Sequence, residues 1–331
     1  MKALRYLGPN QLEVMEMPKP TPKANEVLLR IKACGICGSD VHGYLGLTGR
    51  RTPPMTMGHE FAGQVEAVGE NVTTLKAGDR VCPYPVDYCG TCEKCKNEMN
   101  HLCPDKRQFG VLTVDGAFAE YLCVPAHLCF PIADNVSYDQ ASLMEPLAVA
   151  YHAVSHAGSL AGKHVLIVGA GTIGLLALVC CKLQGPASIT MSDFSDPRLE
   201  LAKSIGADRV INPGKGESVS DIDVAFEAVG AAGSVKGAME SLAFGGTAIW
   251  IGNNKPIIDI NMQQIVTHEL KVKGSFLYSL KDFETVVDLI NEGKIDASRL
   301  LSKTVSLEEA PKYFKQLAEA PGNLIKVVVH P

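Results

Sequence analysis

The sequence predicts a chain of class α/β plus β, in which a β-rich first part is followed by a doubly wound parallel sheet. Short runs of strand formers bounded by turn residues, such as residues 26–32 and 63–68, are typical of an all-β barrel or sandwich. From residue 164 onward, strand and helix patterns alternate, which is the signature of a doubly wound sheet. At 331 residues the chain is long enough for two such domains.

Charge and hydropathy exclude two classes of partner. The net charge is -5 and the basic residues are scattered apart from Arg50-Arg51, whereas nucleic-acid binding needs a basic face. No segment approaches the roughly 18 apolar residues of a membrane span, and the N-terminus lacks the apolar region of a signal peptide. We therefore expect a cytoplasmic protein that acts on a small molecule and binds neither nucleic acid nor membrane.

Four of the eleven cysteines are close in sequence: Cys89, Cys92, Cys95 and Cys103. Four thiolates at such short spacings can close around one Zn²⁺ tetrahedrally and leave no open position, as in structural zinc sites. The alternative is four unpaired thiols in a polar lobe, which would be a reactive liability. The spacing therefore predicts a structural zinc.

A second set of metal ligands is spread more widely. Cys37 lies upstream of Gly58-His59-Glu60, although His59 and Glu60 alone could be an ordinary polar pair on a loop. A catalytic zinc needs about three protein ligands and an open position. The third ligand is either Glu60 or Glu145, and we expect both carboxylates near the metal, one bound directly and the other acting through water.

The glycine-rich segment Gly169-Ala170-Gly171-Thr172-Ile173-Gly174 joins a continuous apolar strand, 164–168, to an apolar helix. Strand, G-x-G-x-x-G and helix in that order predict a dinucleotide site, in which the phosphates meet the positive end of the helix dipole.

Asp193 follows the next strand, close to the distance of about 20 residues at which an acid hydrogen-bonds the ribose 2′-hydroxyl. A carboxylate there would repel a 2′-phosphate, which favours NAD over NADP. Arg198 opposes this preference, because its guanidinium could reach the adenosine ribose, and Asp193 could instead cap a helix.

These signals divide the chain into residues 1–146, 147–278 and 279–331. The last segment carries predicted helices over 280–291 and 307–317 and a predicted strand over 324–329. Because such a short tail cannot bury a core alone, we expect it to pack on the first domain.

Several motifs together resemble the zinc-dependent branch of the medium-chain dehydrogenase/reductase family over essentially the whole chain. The pattern Gly58-His59-Glu60-x2-Gly63-x5-Gly69-x2-Val72 fits the zinc signature of that family. Residues 37–42, 116–121 and 145–149 resemble its polyol (sorbitol-like) dehydrogenase branch. The resemblance implies a GroES-like catalytic domain completed by the C-terminal tail, a Rossmann NAD-binding domain, two zinc ions per chain and a homo-oligomer, dimer or tetramer.

The resemblance also implies roles for individual residues. In this branch the catalytic metal has Cys, His and Glu ligands, which Cys37, His59 and Glu60 match, while Glu145 matches an acid that reaches the metal or its water. Tyr44 and Tyr278 would face the substrate. The implied cofactor contacts, beside Gly169, Gly171 and Gly174, are Ile173, Asp193, Arg198, Ile251, Gly252, Asn253, Ser275 and Phe276.

One departure bears on the substrate. Sorbitol-type enzymes commonly carry Arg where this chain has Leu277, so a group that would hydrogen-bond a polyol is missing. Arg50 and Arg51 could instead favour a phosphorylated or acidic substrate, or they could simply form a solvated surface.

The predicted activity is reversible oxidation of a secondary alcohol, a polyol or sugar alcohol, to a ketone with NAD. Zinc would serve as the Lewis acid, and the alcohol proton would leave through Ser39 and the cofactor ribose to His42. A threonine-type amino-alcohol dehydrogenase or an aldehyde reductase shares these motifs. A dinucleotide-binding protein without catalysis is the alternative outside enzymes.

Overall fold

The computed structural model describes residues 1–331, which form two compact units. Unit 1 comprises Met1–Glu145 and Ser279–Pro331, and unit 2 comprises Pro146–Tyr278. Unit 1 is β-rich, and unit 2 is built on a parallel sheet with helices between its strands. The predicted fold class is therefore confirmed. No helix is both long and apolar enough to cross a membrane.

The first part of unit 1 is mostly strands. They are β1 (Lys2–Gly8), β2 (Gln11–Glu16), β3 (Glu26–Gly35), β4 (Met55–Thr56), β5 (Glu60–Val68), β6 (Arg80–Pro83), β7 (Val86–Asp87), β8 (Arg107–Gln108), β9 (Tyr121–Pro125) and β10 (Cys129–Pro131). The helices of this part are α1 (Gly38–Tyr44), α2 (Glu93–Lys96) and α3 (Tyr138–Ser142), and α4 (Met144–Ser155) contains the boundary at residue 145.

Unit 2 alternates strands and helices. These are β11 (His164–Val168), α5 (Thr172–Lys182), β12 (Ser188–Ser192), α6 (Asp196–Ile205), β13 (Arg209–Ile211), β14 (Ile222–Glu227), α7 (Ala232–Glu240), β15 (Leu242–Trp250), α8 (Met262–Thr267) and β16 (Lys271–Gly274). The sheet order is β13-β12-β11-β14-β15-β16, and all neighbours are parallel. The continuous apolar sequence of β11 follows from this order, because the strand lies inside the sheet with a parallel neighbour on each side.

The tail returns to unit 1. It consists of α9 (Leu280–Asn291), β17 (Leu301–Ser306), α10 (Ala310–Glu319) and β18 (Lys326–His330). In the largest sheet of the unit the order is β10-β6-β5-β3-β18-β17, and β9 also pairs with β3. Sequence patterns did not predict β17, because this edge strand is mostly exposed and shows no clear apolar alternation.

The register around β3 positions the residues of the candidate site. Gly35 at the end of β3 pairs with Glu60 of β5 on one side and with Val328 of β18 on the other. Three segments that are distant in sequence therefore meet at the end of one strand.

Candidate active site and metal centres

Cys37, His59 and Glu60 converge at the end of β3. Cys37 follows that strand as the N-cap of α1, and Glu60 begins β5 directly opposite Gly35. The ligand atoms of the three residues lie within 4.8 Å of one another. A thiolate, an imidazole and a carboxylate within this distance suit a zinc ion that keeps one position open.

Two glycines make room for this arrangement. Gly58 has a left-handed backbone with φ of 99°, and a Cβ there would lie 2.8 Å from the Cys34 sulfur. A Cβ on Gly35 would collide with the carboxylate of Glu60. Both positions therefore need glycine for steric reasons.

Asp40 contacts two of the candidate ligands, His59 and Cys37. Its Oδ1 lies 3.4 Å from His59 Nδ1, and its Oδ2 accepts a hydrogen bond of 3.3 Å from the backbone N–H of Cys37. An Nδ1 that faces a carboxylate leaves Nε2 of His59 for the metal, the usual second-shell arrangement of zinc histidines. Burial would raise the pKa of Asp40, but the charges and hydrogen bonds of His59 and Arg51 hold it well below its usual range.

Arg51 contacts the same carboxylate. Its Nη2 lies 2.8 Å from Asp40 Oδ1 and 3.3 Å from the Ser39 hydroxyl, and only 3% of its side chain is exposed. The alternative of a solvated surface is therefore wrong for Arg51, while Arg50 is exposed.

Lys326 of β18 is the buried counter-ion of Glu60. Its Nζ lies 2.5 and 2.8 Å from the two Glu60 oxygens and also donates to the Ile36 carbonyl at 3.1 Å. Burial would lower the pKa of Lys326, but the negative charges of Glu60, Cys37 and Glu145 raise it. This lysine was not predicted from the sequence, because no local pattern links residues 266 positions apart.

Glu145 does not belong to the close group of three. It is buried at the start of α4, and its charge contributes to the raised pKa of Lys326. Its role at the metal or its water stays a prediction.

The proposed relay residues lie on α1, and the proposed substrate contacts are buried. Ser39 is exposed and His42 is half-buried, and burial lowers the pKa of His42. Tyr44 packs edge-on against Phe314 with ring centroids 5.8 Å apart, and Tyr278 is fully buried.

The second cluster consists of Cys89, Cys92, Cys95 and Cys103. Four of their Sγ–Sγ distances are 3.5, 3.5, 3.8 and 3.9 Å. A zinc tetrahedron with Zn–S bonds of about 2.3 Å has edges of about 3.8 Å. Backbone N–H groups of Thr91 and Cys92 lower the pKa of the Cys89 thiol to about 6, which favours the thiolate form that binds metal. The cluster fits a closed, structural zinc site.

The glycine-rich turn of unit 2 joins β11 to α5. Gly169 has φ of 102°, Gly171 is the N-cap of α5, and a Cβ on Gly174 would collide with the Gly169 carbonyl oxygen. The turn can therefore bring backbone N–H groups and the helix N-terminus close to a pyrophosphate.

A cavity of about 1140 Å³ lies beside this turn, and all of its walls belong to unit 2. Among the predicted cofactor contacts, its lining includes Gly169, Gly171, Asp193 and Arg198. The other predicted contacts are not in its lining: Ile173, Gly174, Ile251, Gly252, Asn253, Ser275 and Phe276. The two oxygens of Asp193 accept hydrogen bonds from the backbone N–H groups of Ala170 and Ser195 at 2.7 and 2.8 Å.

Glu227 is a buried carboxylate at the end of β14 that sequence analysis did not single out. It accepts hydrogen bonds of 2.8 and 3.0 Å from the Gly230 N–H and one of 3.0 Å from the Val229 N–H. Its carboxylate therefore holds the turn after β14, and Ala228 and Val229 of this turn line the cavity. An acid at the end of an apolar strand was the only sequence signal for it.

Comparison with known proteins defines the family. Residues 23–134 match the alcohol dehydrogenase GroES-like domain, and residues 172–292 match the zinc-binding dehydrogenase domain. Sorbitol dehydrogenase of Bacillus subtilis is 32% identical, over 100% of this chain and 97% of that protein. The chain belongs to the zinc-type medium-chain dehydrogenase family, in its polyol dehydrogenase branch, and is an oxidoreductase.

Two solved structures extend the comparison. A zinc-binding dehydrogenase of Sinorhizobium meliloti bound to NADP has a TM-score of 0.93 and 32% identity, over 100% of this chain and 99% of that one. An Escherichia coli alcohol dehydrogenase complexed with NADH has a TM-score of 0.91 and 30% identity, with the same coverage.

Proposed function

We propose that this protein reversibly oxidises a secondary alcohol, a polyol or sugar alcohol, to a ketone and transfers the hydride to NAD. The observation that carries the proposal is the convergence of Cys37, His59 and Glu60 within 4.8 Å, in a chain of the polyol branch. When bound there, zinc would supply a Lewis acid that lowers the pKa of the alcohol. Complete removal of metal should abolish NADH formation and added Zn²⁺ should restore it, whereas activity that survives removal would refute the zinc mechanism.

The residues of α1 would move the proton. Ser39 is exposed two residues after Cys37, so its hydroxyl can accept a proton from the alcohol and release its own. A bound cofactor would supply a ribose hydroxyl between Ser39 and His42. His42 lies three residues further along the same helix and can exchange the proton with solvent, because burial lowers its pKa and so favours the neutral imidazole that accepts a proton.

NAD is the proposed cofactor on account of Asp193. A carboxylate in the cavity beside the glycine-rich turn favours a ribose 2′-hydroxyl over a 2′-phosphate, whereas Arg198 in the same cavity would favour the phosphate. Solved relatives contain NADP in one case and NADH in the other. Initial rates with NAD⁺ and NADP⁺ at equal concentration test the preference, and Asp193→Ala should reduce the preference for NAD⁺.

The proposed substrate class rests on the family and on the residues at positions 277 and 51. Sorbitol dehydrogenase is among the relatives, but Leu277 replaces the arginine common in sorbitol-type enzymes. Arg51 is engaged with Asp40, which weakens the case for a phosphorylated substrate held by that arginine. NADH formation should be measured across sugar alcohols, their phosphates, threonine and simple alcohols, with aldehyde reduction in the reverse direction. Activity confined to threonine or aldehydes would replace the polyol proposal.

Metal stoichiometry and assembly complete the proposal. Elemental analysis should find two zinc ions per chain, one for each cluster. A homo-oligomer is supported by exposed apolar side chains on β15, on α8 and in the loop between them, namely Phe244, Ile257, Met262 and Val266. Light scattering coupled to size exclusion should give a dimer or tetramer, and Val266→Lys should shift it toward monomer. We propose that the protein acts in the cytoplasm.

A further inference from the structure

We propose that Arg51 is a positioning residue that holds the Ser39 hydroxyl and the Asp40 carboxylate in one arrangement. Through these contacts it would align the proton relay with the zinc ligand His59. The inference rests on the proposed function, because it assigns Arg51 a part in that reaction and not only in folding.

Arg51 and Asp40 form a buried ion pair. The Arg51 and Asp40 side chains are 3% and 0% exposed, and their ion pair is 2.8 Å long. A buried guanidinium has a high desolvation penalty and is tolerated only with strong hydrogen-bonding partners. If Arg51 served only to stabilise a loop at the surface, such a buried pair would contribute little. The burial therefore points to a requirement for the guanidinium at this place.

Helix α1 leaves space for the Arg51 side chain. Gly43 lies on the same face of the helix as Ser39 and Asp40, since these two residues precede it by four and three positions. A Cβ on Gly43 would collide with Cγ of Arg51. The helix therefore leaves a gap for the arginine between the two groups that the guanidinium contacts.

Hydrogen bonds on both sides of Arg51 anchor its backbone. Leu112 N–H donates to the Arg50 carbonyl at 2.8 Å, and Thr52 N–H donates to the Leu112 carbonyl at 3.0 Å. These two hydrogen bonds lie on either side of Arg51 and connect its segment to the loop that contains Leu112. The guanidinium thus extends from a fixed backbone.

The chemistry of the guanidinium defines its effect on Ser39. Arginine donates hydrogen bonds and never accepts them. Ser39 Oγ, at 3.3 Å from Nη2, must therefore accept from Arg51, and its own proton points elsewhere. The same Nη2 donates to Asp40 Oδ1, the oxygen that faces His59 Nδ1. One cation thereby orients both a relay hydroxyl and the carboxylate that supports a metal ligand.

The competing explanation is that Arg51 only neutralises Asp40 in the fold. The two explanations differ in whether the effect of Arg51 depends on Ser39. A double-mutant cycle between the two residues separates them.

The experiment compares full-length Arg51→Met, Arg51→Lys, Ser39→Ala and the double variant Arg51→Met/Ser39→Ala with the unmodified enzyme. Arg30→Met is the matched control, because Arg30 is an exposed arginine of the same unit. The measurements are zinc per chain, the visible spectrum after Co²⁺ replaces the catalytic zinc, NADH affinity by fluorescence, and kcat and KM for the best alcohol of the substrate screen.

We expect Arg51→Met to lower kcat by about 10- to 100-fold, the usual range for a residue that supports a metal ligand. It should shift the Co²⁺ spectrum and leave NADH affinity unchanged. Arg51→Lys should recover part of the loss. In the Ser39→Ala background, Arg51→Met should lower kcat by a smaller factor than in the unmodified enzyme, since the relay that it positions is already lost and only its support of Asp40 and His59 remains.

Three results would overturn the inference: an unchanged kcat in Arg51→Met with zinc retained, fully multiplicative losses in the double variant, or losses in both Arg51 variants that loss of zinc or of folding explains completely. Failure of the proposed function is distinct from these, because the unmodified enzyme would then form no NADH with any alcohol.

Discussion

At the scale of single residues, Glu60 is placed to interact with both a metal ion and a buried lysine. Its carboxylate is placed to bind a metal with Cys37 and His59, and both of its oxygens contact the buried Lys326. The lysine can neutralise the charge of the carboxylate before a metal binds. It can remain hydrogen-bonded to the carboxylate afterwards, since a carboxylate has about four lone-pair sites.

Lys326→Met should strongly destabilise the metal-free protein. Loss of the ammonium leaves Glu60 buried without its counter-ion, for which about 3–5 kcal/mol is typical. Urea unfolding of the metal-free variant measures the change. Lys303→Met, at an exposed position of the adjacent strand β17, should change the free energy of unfolding by less than about 0.5 kcal/mol. Equal effects of the two substitutions would contradict the role of the buried pair.

The pH dependence of alcohol oxidation should reflect His42. Only the neutral imidazole can accept a proton, and burial lowers the pKa of His42 from its usual value. The rate should therefore fall only on the acid side of the usual histidine range, as His42 becomes protonated. A profile of kcat/KM against pH for the unmodified enzyme and for His42→Ala checks this. An acid limb that is unchanged in His42→Ala would assign the titration to another group.

At the scale of secondary-structure elements, the end of β3 carries the candidate metal site. Cys37 follows the strand, Glu60 lies opposite Gly35 in β5, and β18 pairs with β3 from the other side. The ligands are thus held by sheet register and a helix N-cap, which limits their freedom before metal binds.

Gly35→Ala should remove the catalytic zinc selectively. The new Cβ would collide with the Glu60 carboxylate, so the third ligand would be displaced. Elemental analysis should find one zinc per chain in place of two, with the cysteine cluster still occupied. Gly38→Ala is the control, because a Cβ there contacts nothing within 4 Å. Two zinc ions retained in Gly35→Ala would show that the site can rearrange around the methyl group.

At the scale of the whole molecule, the candidate metal sites and the proposed dinucleotide site belong to different units. Both metal clusters lie in unit 1, and the cavity at the glycine-rich turn is lined only by residues of unit 2. The six-stranded parallel sheet lies in unit 2, and the other sheets lie in unit 1.

Cys37→Ser should therefore separate the two functions. We expect loss of the catalytic zinc and of activity. The affinity for NADH should stay within about 3-fold of the original, because Cys37 shares no partner with the residues that line the cavity. Fluorescence titration with NADH measures the affinity. Cys123→Ser is a matched control outside both clusters and should retain zinc, activity and binding. Loss of NADH binding in Cys37→Ser would show that the units depend on each other.

The sequence by itself determined the parts whose signals are local. Fold class followed from strand spacing and from strand–helix alternation, and the cysteine cluster and glycine-rich turn followed from residues close together in the chain. Tertiary structure alone decided what depends on distant contacts. Lys326 reaches Glu60 only because β18 pairs with β3, and Arg51 is buried only because Gly43 leaves space beside Asp40. Burial and charge pairing are properties of the packed sheet and helix, and no local pattern in the sequence encodes them.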